Sequence, residues 1–319
     1  MAATGTSAAP LQKVLIHGPH LERLREDWKG RYEFHVLREF ADARTFLDGV
    51  GQEIEVIISD GSSIPEPLLT GMGRLRLVAC FSTGHAGIDA AVLRARGIAL
   101  TTAAGVNAHD VADHAITLAL SAWHGILRAD ATVRSGRWRE DLRPRASLRA
   151  RRAGILGLGR IGSAIAARLS ALEMVVAWYG PNAKPDVPHA RTRSLLELAS
   201  RSDILFVSCR PTAANRHLVG ERVFEALGPE GIVVNVSRGS LVDEEALIRS
   251  LRAGRLGGAA LDVFADEPTP QERWRGVPNV TLTPHIAGYT REAGVAMMQL
   301  LWENVRRYFA GEPLLTPAW

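Results

Sequence analysis

The sequence predicts an α/β protein made of two doubly wound, Rossmann-like domains, each with a parallel sheet, and a cleft between the domains. Two observations lead to this fold class. Short apolar runs alternate with segments of helical periodicity over most of the 319 residues, which is typical of parallel sheets covered by helices on both faces. One long helical segment separates two series of strands, and a chain of this length is expected to form more than one core.

The first series of apolar runs predicts five strands joined by short helices. These strands are Lys13–His17, Phe34–Leu37, Ile54–Ser59, Leu77–Phe81 and Ile98–Thr101. Helical stretches such as Leu21–Trp28 and Ala41–Leu47 lie between them. The long helix follows from Asn107 to Leu127, and its apolar residues recur at helical spacing, namely Val111, Ala115, Leu118 and Ala122.

The second series begins after an arginine-rich loop that runs from Arg134 to Arg152. It predicts the strands Ala153–Leu156, Val175–Trp178, Ile204–Ser208, Ile232–Val236, Gly258–Val263 and Val280–Leu282. The last segment, Arg291–Phe309, has the periodicity of an amphipathic helix. We therefore expect one domain from residues 1–104 and 288–319 and another from residues 105–287.

Composition and charge exclude several classes of function. Hydrophobic residues make up 46% and charged residues 23% of the chain, as in ordinary globular proteins. No apolar run approaches the roughly 20 residues of a membrane helix, and the N-terminal residues lack the pattern of a signal peptide. The formal net charge is +4, but the arginines are scattered, so we expect neither nucleic acid nor a membrane as a partner.

The cysteines and histidines predict neither a disulfide framework nor a metal site. The two cysteines, Cys80 and Cys209, each follow an apolar run. No set of His, Cys and Asp residues has the spacing of metal ligands. We therefore expect no metal and a cytoplasmic location.

The strongest local motif is a glycine-rich turn between a strand and a helix. The segment G-L-G-R-I-G contains Gly157, Gly159 and Gly162 and opens the helix Ser163–Leu172. In such motifs the first glycine permits the tight turn, the second lets the backbone approach a pyrophosphate, and the third lets helix and strand pack closely. The helix N-terminus would bind the phosphates. The motif predicts a bound dinucleotide, and the alternative is a tight turn without a ligand.

The residues after the next strand bear on which dinucleotide binds. An NAD site usually has an acidic residue about 20 residues after the first glycine, but the segment Val176–Lys184 contains none. Lys184 or Arg191 could attract a 2′-phosphate. We therefore expect NADPH as the preferred cofactor, with NADH also allowed. Alternatively, Lys184 is a solvated surface residue, and Asn182 and the backbone hold the ribose.

Three ionisable residues follow apolar strands of the second series, namely Arg238, Glu267 and His285. Since ligands bind at the carboxyl ends of strands in open α/β sheets, these residues could converge on one site. Reduction of a 2-keto acid needs a proton donor for the carbonyl oxygen and a cation for the carboxylate. A histidine beside a carboxylate suits the first task and an arginine suits the second.

Each of these residues also has a simpler interpretation. Arg238 could be a surface arginine at a turn, Glu267 a carboxylate at a helix start, and His285 a buried structural histidine. Three other histidines, His85, His109 and His114, are interpreted as structural or peripheral.

In the order and spacing of these segments, the sequence resembles the D-isomer-specific 2-hydroxyacid dehydrogenases. The matching segments are V-S-R-G-S-L-V-D-E, A-L-D-V-F-A-D-E-P and T-P-H-I-A-G. The resemblance covers nearly the whole chain. It implies that Arg238 anchors the substrate, that His285 donates and accepts the proton, and that Glu267 is the partner of the histidine.

The resemblance implies further site residues. The segment F-S-T-G-H-A-G-I-D is similar to the family's substrate loop, which implies substrate binding by Ser82, Thr83 and Gly84. Asp262 would lie near the nicotinamide carboxamide. Besides Asp262, the glycines of the turn, Asn182 and Lys184, the implied cofactor contacts are Val111, Arg160, Ile161, Tyr179 and Ser237. The domain of residues 105–287 would then bind the dinucleotide, and the other domain would be the substrate-binding (catalytic) domain.

Within the family, the sequence is most similar to the glyoxylate/hydroxypyruvate reductases and hydroxyphenylpyruvate reductases. The segments D-V-A-D-H, R-S-G-R-W and W-Y-G-P-N-A-K carry this similarity. It implies a homodimer that uses NAD(P)H to reduce glyoxylate, hydroxypyruvate or an arylpyruvate to the D-2-hydroxy acid. The sequence departs from the pattern at Pro181, where an arginine is common, at His85, where a tyrosine is common, and at Tyr289, where a small residue is common.

Two alternatives share this fold and its ionisable residues. One is a dinucleotide-sensing scaffold similar to the transcriptional corepressors of this fold. The other is a related dehydrogenase that acts on a different small anion, such as phosphite.

Overall fold

The computed structural model describes residues 10–85, 87–139, 144 and 146–319. Its contacts divide the chain into two compact units. One contains the residues up to Val106 together with Arg291–Trp319, and the other contains Asn107–Thr290. Each unit is built around one sheet of parallel strands, so the predicted fold class, two Rossmann-like α/β domains, is confirmed.

The described residues of the first unit form five strands, four short α-helices and the last helix of the chain. The strands are β1 (Lys13–His17), β2 (Glu33–Val36), β3 (Val56–Ser59), β4 (Leu77–Cys80) and β5 (Ala99–Thr101). The short helices are α1 (Leu24–Asp27), α2 (Ala43–Asp48), α3 (Glu66–Gly71) and α4 (Ala90–Ala95). The strands are neighbours in the order β2-β1-β3-β4-β5.

Both faces of this sheet are covered, which explains why its strands are apolar throughout. Phe46 and Leu93 belong to the core cluster on one face. On the other face, Leu301 and Val305 of the last helix, Arg291–Phe309, pack beside Trp28. The last helix therefore completes the core of the first unit.

In the second unit, the part of the chain that the structure describes forms seven strands. They are β6 (Arg152–Leu156), β7 (Val175–Tyr179), β8 (Ala190–Arg191), β9 (Ile204–Val207), β10 (Ile232–Asn235), β11 (Gly258–Leu261) and β12 (Val280–Leu282). Its helices are α5 (Ala108–His124), α6 (Ile126–Arg134), α7 (Arg160–Ala171), α8 (Leu195–Ser200), α9 (Glu221–Leu227), α10 (Glu244–Arg252) and α11 (Gln271–Trp274).

The strand order of this sheet is β12-β11-β10-β9-β6-β7-β8, and the paired strands are parallel. The order reverses between β6 and β9. At such a reversal, the loops that follow the two strands diverge and leave a crevice in which open α/β sheets bind their ligands. The two-residue edge strand β8 was absent from the predicted strands because so short a segment carries no periodicity.

The predicted helix Asn107–Leu127 is wrong at its C-terminal end. Helix α5 ends at His124, where Gly125 adopts a φ of 61°. This left-handed conformation is tolerated by glycine and commonly ends helices. The chain then continues directly as α6. Apolar periodicity alone did not reveal this break.

The described residues were searched for helices that could span a membrane and for groups of side chains that could bind a metal ion. None of their helices is both long and apolar enough to cross a bilayer. No group of three or more His, Cys, Asp or Glu side chains among them could hold a metal ion.

Candidate active site

The glycine-rich turn joins β6 to α7 beside the point where the strand order reverses. Gly157 has a φ of 91°, and a Cβ atom there would lie 2.5 Å from the Cα of Cys209. A Cβ atom at Gly162 would lie 2.1 Å from the carbonyl oxygen of Gly157. Any side chain at these two positions would therefore separate the turn from β9 or from α7.

Gly159 differs from these two glycines, because a Cβ atom there would meet no protein atom within 4 Å. It precedes the first residue of α7, and no side chain caps that helix end. The N-terminus of α7 therefore borders open space at Gly159, which suits a phosphate. The turn fits the pyrophosphate of a dinucleotide.

The segment after β7 contacts this turn. Lys184 Nζ donates a hydrogen bond to the carbonyl oxygen of Leu158, at 2.5 Å. Tyr179, the last residue of β7, is half-buried, and Asn182 is exposed. Arg160 is exposed at the start of α7. Two of these residues contact the turn directly, Lys184 through its ammonium group and Tyr179 through its carbonyl oxygen, which accepts a hydrogen bond from the N–H of Gly157 at 2.8 Å. The contacts of Tyr179, Asn182, Lys184 and Arg160 with a cofactor stay predictions.

Two other predicted cofactor residues belong to the core of the unit. Val111 on α5 is buried in the core cluster that contains Ile155. Ile161 on α7 is partly buried against the same cluster. Only their backbone or the edges of their side chains would be open to a ligand.

His285 and Glu267 contact each other directly. The Nδ1 atom of His285 lies 2.6 Å from Glu267 Oε2. The other oxygen, Glu267 Oε1, accepts a hydrogen bond from the N–H of Phe264, at 2.9 Å. With Nδ1–H bonded to a carboxylate, Nε2 is the ring nitrogen left to exchange a proton with a substrate. The side chain of His285 is 45% exposed, so a ligand could reach it.

Arg238 lies close to the same carboxylate. Its Nη1 donates a hydrogen bond to the carbonyl oxygen of Ser237, at 2.6 Å. Burial lowers the pKa of Arg238, and the charge of Glu267 partly opposes that shift. An arginine stays charged in spite of such a shift. The structure therefore places a half-buried cation, a carboxylate and an imidazole in one area.

The side chain of Asn235, at the end of β10, shapes the turn that carries Arg238. Its Nδ2 donates to the carbonyl oxygen of Arg238 at 3.0 Å, and its Oδ1 accepts from the N–H of Ser237 at 3.0 Å. Ser237 Oγ donates to the carbonyl oxygen of Cys209 at 2.6 Å. Ser237 thus links this turn to the end of β9, beside the glycine-rich turn.

Gly239 lets two backbone segments approach each other closely. A Cβ atom at this position would lie 1.8 Å from the carbonyl carbon of Phe264 and 2.3 Å from the nitrogen of Ala265. Since both neighbours are backbone atoms, no rotamer change could relieve the overlap. This approach brings the Arg238 segment against the segment that leads to Glu267.

Asp262 holds the turn that contains His285. Its carboxylate is fully buried. Oδ1 accepts hydrogen bonds from Thr283 Oγ1 at 2.6 Å and from the N–H of Ile286 at 2.9 Å, and Oδ2 accepts from the N–H of Ala287 at 2.9 Å. Its expected contact with a nicotinamide carboxamide stays a prediction.

The pKa of Asp262 reflects these bonds. Burial raises it, but hydrogen bonds from His114, Thr283 and the backbone of Ile286 and Ala287 together outweigh burial and leave the pKa below its usual value. His114 Nε2, on α5, lies 3.0 Å from Thr283 Oγ1 and 3.5 Å from Asp262 Oδ1. The carboxylate is therefore ionised in the folded protein.

The backbone of His285 is unusual for a non-glycine residue, with a φ of 54°. Its N–H donates to the carbonyl oxygens of Asp262, at 2.8 Å, and Thr283, at 3.0 Å. Such conformations cost about 1–3 kcal/mol and persist where the surroundings enforce them. Here, the Asp262 hydrogen bonds enforce the conformation that presents the imidazole to Glu267.

The predicted substrate loop belongs to the first unit and follows β4. Ser82, Thr83 and Gly84 are half-buried. Ser82 Oγ donates to the carbonyl oxygen of Gly84 at 2.5 Å, and a Cβ atom at Gly61 would lie 2.4 Å from that Oγ. Ala86, within the same segment, lies outside the described residues.

Sequence reasoning missed several residues that shape the site. They are Asn235, Gly239, Thr283 and Glu244, whose Oε1 accepts from the N–H of Ala265 at 2.5 Å. His114 was interpreted as structural or peripheral, and its contact with Thr283 shows which segment it supports. Only the glycine that directly follows Arg238 offered a sequence signal, because an internal glycine often marks a close backbone approach.

A doubly wound sheet, a phosphate-binding turn and a histidine–carboxylate pair beside an arginine define an NAD(P)-dependent oxidoreductase. Comparison with known proteins identifies the family within this class. The family model "D-isomer specific 2-hydroxyacid dehydrogenase, NAD binding domain" matches residues 116–287. The chain belongs to the D-isomer-specific 2-hydroxyacid dehydrogenase family and acts between 2-keto acids and 2-hydroxy acids.

Three relatives illustrate the similarity. The hydroxyphenylpyruvate reductase of Plectranthus scutellarioides is 37% identical over 95% of this chain and 98% of its own length. The structure of a 2-hydroxyacid dehydrogenase from Ketogulonicigenium vulgare matches with a TM-score of 0.90 and 40% identity, over 98% of this chain and 99% of that one. An NADPH-dependent glyoxylate/hydroxypyruvate reductase from Sinorhizobium meliloti, in complex with NADP and malonate, has a TM-score of 0.87 and 35% identity, over 98% and 97%.

The turn glycines provide a matched pair of variants. We expect Gly162→Ala to lower the melting temperature, because its Cβ would lie 2.1 Å from a backbone oxygen. We expect Gly159→Ala to leave the melting temperature of the ligand-free protein unchanged and to weaken NADP⁺ binding at least about tenfold, because a methyl group would occupy the space of the phosphates. Thermal unfolding and calorimetric titration measure both effects. Unchanged affinity in Gly159→Ala would contradict the assignment of the turn.

The Asp262→Asn variant tests whether the carboxylate of Asp262 stabilises the turn that contains His285. We expect the free energy of unfolding to fall by about 1–3 kcal/mol at neutral pH, because the amide nitrogen of the new side chain would face a backbone N–H in a buried place. A carboxyl group whose pKa is lowered on folding stabilises the protein above its unfolded pKa, about 3.9, and this stabilisation is lost as the pH falls through the lower folded pKa. The difference in the free energy of unfolding between the wild type and the variant should therefore become smaller below about pH 4.

The control for this experiment is Asp266→Asn, at an exposed position of the next segment. Urea unfolding at several pH values measures both variants. An Asp262→Asn loss that is independent of pH would argue against an ionised Asp262.

Proposed function

We propose that the protein reduces a small 2-keto acid to the D-2-hydroxy acid, with NADPH as the preferred reductant and NADH also accepted. Glyoxylate, hydroxypyruvate and arylpyruvates are the candidate substrates. The observation that carries the proposal is the 2.6 Å contact between His285 Nδ1 and Glu267 Oε2, close to the guanidinium of Arg238.

When bound at the glycine-rich turn, the reduced dinucleotide supplies the hydride that the carbonyl carbon of the keto acid accepts. His285, in its imidazolium form, gives the Nε2 proton to the carbonyl oxygen, so the C=O bond becomes CH–OH. Glu267 stabilises the imidazolium through Nδ1–H and holds the ring in one orientation. In the reverse reaction, neutral His285 takes the hydroxyl proton.

Arg238 would bind the substrate and stabilise charge that develops on its oxygen. A planar guanidinium matches a carboxylate and a neighbouring carbonyl oxygen. Its partial burial strengthens these interactions, because fewer water molecules compete for the guanidinium. Backbone N–H groups of Thr83 and Gly84, with Ser82, are proposed as further ligands of the carboxylate.

The two units would divide these tasks. We assign dinucleotide binding to the unit Asn107–Thr290, which contains the turn, and substrate binding to the unit that contains the Ser82–Gly84 loop. The resemblance to the family supports a homodimer, and the absence of a predicted disulfide framework supports a cytoplasmic location. Light scattering of the purified protein tests the first of these.

Turnover of the purified protein tests the proposed reaction. NADPH or NADH oxidation is followed at 340 nm with glyoxylate, hydroxypyruvate or phenylpyruvate, and NAD(P)⁺ reduction is followed with phosphite. The proposal expects the largest kcat/KM for NADPH with one of the keto acids. Turnover with phosphite alone, or binding without turnover of any substrate, would favour the alternatives.

The His285→Gln variant tests the proton transfer. We expect kcat to fall by about 10²–10⁴-fold, the usual contribution of a general acid, while NADP⁺ affinity stays within about twofold. The exposed His124→Gln, at the end of α5, is the matched control and should retain wild-type kcat. A His285→Gln enzyme with wild-type kcat would remove this residue from the mechanism.

A further inference from the structure

A second buried carboxylate lies beside the loop that carries Glu267. Glu244 is the first residue of α10, and its side chain is only 3% exposed. Its Oε1 accepts a hydrogen bond from the N–H of Ala265, at 2.5 Å. Its Oε2 lies 2.7 Å from Arg273 Nε, on α11. Because burial of a carboxylate is costly unless cations and N–H groups surround it, the position of the Glu244 side chain depends on these two contacts.

Successive N–H groups of this loop bond to the two carboxylates. The N–H of Phe264 donates to Glu267 Oε1, at 2.9 Å. The next N–H, that of Ala265, donates to Glu244. It belongs to the peptide group through which the chain continues from Phe264 towards Glu267. Glu244 therefore fixes the orientation of that peptide group, and with it the direction in which the chain leads to Glu267.

The rest of this loop is packed against backbone and aromatic atoms. A Cβ atom at Gly239 would lie 2.3 Å from the nitrogen of Ala265, so the backbone of the loop lies directly against that of Gly239. The ring of Phe264 is buried and packs edge-on against Trp274, with the ring centroids 5.7 Å apart. Trp274 Nε1 donates to Thr269 Oγ1, at 3.0 Å. To this packing, the bond from Ala265 to the Glu244 carboxylate adds a directional contact.

Arg273 also pairs with an exposed carboxylate. Its Nη2 lies 2.9 Å from Glu245 Oε1, and the side chain of Glu245 is 66% exposed. In the described part of the chain, Glu245 forms no hydrogen bond with the loop that carries Glu267. Two adjacent glutamates of α10 thus contact the same arginine, and of these two only Glu244 also contacts the loop. This difference provides a matched control.

We propose that Glu244 is a positioning residue for proton transfer by His285. Through the N–H of Ala265, it keeps the Oε2 atom of Glu267 at 2.6 Å from Nδ1 of the imidazole. Arg273 keeps the Glu244 carboxylate in place. Since proton transfer depends on the orientation of the imidazole, a displaced Glu267 would slow the reaction without preventing binding. The inference rests on the proposed function, because it concerns the proton that His285 transfers.

Two variants of Glu244 separate its bond to the loop from its ion pair. In Glu244→Gln the side chain keeps its volume, but either orientation of the amide turns its N–H groups towards a donor, on Ala265 or on Arg273. In Glu244→Asp the carboxylate is kept and withdrawn by one methylene group. The partly exposed side chain of Arg273 can follow it. The N–H of Ala265 cannot, because the backbone there is packed against Gly239.

For both variants of Glu244, we expect kcat to fall about 5- to 30-fold, since small displacements of a catalytic group cost up to about 100-fold. The KM of the keto acid and the Kd of NADP⁺ should change by less than about threefold, because only the transition state is affected. The control, Glu245→Gln, should keep kcat within about twofold of the wild type. Steady-state kinetics with NADPH and calorimetric titration measure these values. Thermal unfolding confirms that each variant is folded at the assay temperature.

A second background shows whether Glu244 acts through the histidine. If Glu244 positions the pair of Glu267 and His285, Glu244→Asp should lower kcat by less than about twofold in a His285→Gln protein, because no imidazole is left to orient. A residue that only stabilises the fold would lower kcat by the same factor in both backgrounds.

Three results would overturn the inference and leave the proposed reduction intact. An unchanged kcat in Glu244→Asp would restrict Glu244 to its ion pair with Arg273. An equal fall of kcat in Glu245→Gln would assign the effect to the charge of that arginine. Equal falls with and without His285 would make Glu244 a structural residue. Should Glu244→Gln not fold, Glu244→Asp decides the question alone. A wild-type protein that reduces no keto acid would overturn the proposed function itself.

Discussion

The buried carboxylate of Asp262 is the constraint on which the candidate active site depends. A charge removed from water is stable only when hydrogen bonds replace its hydration. Here, the donors come from Thr283, Ile286 and Ala287, on both sides of His285. Satisfying one buried charge therefore fixes the backbone of a neighbouring residue in a left-handed conformation, and that conformation sets the direction of the imidazole. The contact between His285 and Glu267 follows from this arrangement.

Glycines supply the second constraint, because they let backbone segments approach more closely than any side chain would allow. Gly157 lies against the backbone of Cys209, and Gly239 lies against that of Phe264. The first approach places the glycine-rich turn beside the end of β9. The second places Arg238 beside the segment that leads to Glu267. Ser237, which bonds to the carbonyl oxygen of Cys209, connects the two places, so the cofactor turn and the arginine are positioned by one continuous set of contacts.

The distribution of charge separates arginines that pair with carboxylates from cations that bond to backbone carbonyl oxygens. Arg152 and Arg168 pair with carboxylates at the surface of their unit, where such pairs contribute little to stability. Arg238 is half-buried near the carboxylate of Glu267, which also contacts His285. Lys184 and Arg191 instead bond to backbone carbonyls, which fix the position of a cation without neutralising its charge. The net charge therefore did not show which basic residues pair with carboxylates and which keep their charge near the candidate site.

The sequence by itself determined the fold class and eleven of the twelve strands, because apolar runs between turn residues depend on local chain properties. It also determined the glycine-rich turn, whose spacing is short. The position of Arg238, Glu267 and His285 after strands predicted that they converge, and the resemblance to the family implied their roles. Tertiary structure alone decided the break at Gly125, the edge strand β8, the carboxylate network of Asp262 and the place of Arg191. The break at Gly125 is a local helix end that apolar periodicity does not mark. The Asp262 network arises from contacts between residues far apart in the chain, such as His114 with Thr283, and no local pattern encodes a distance across a sheet.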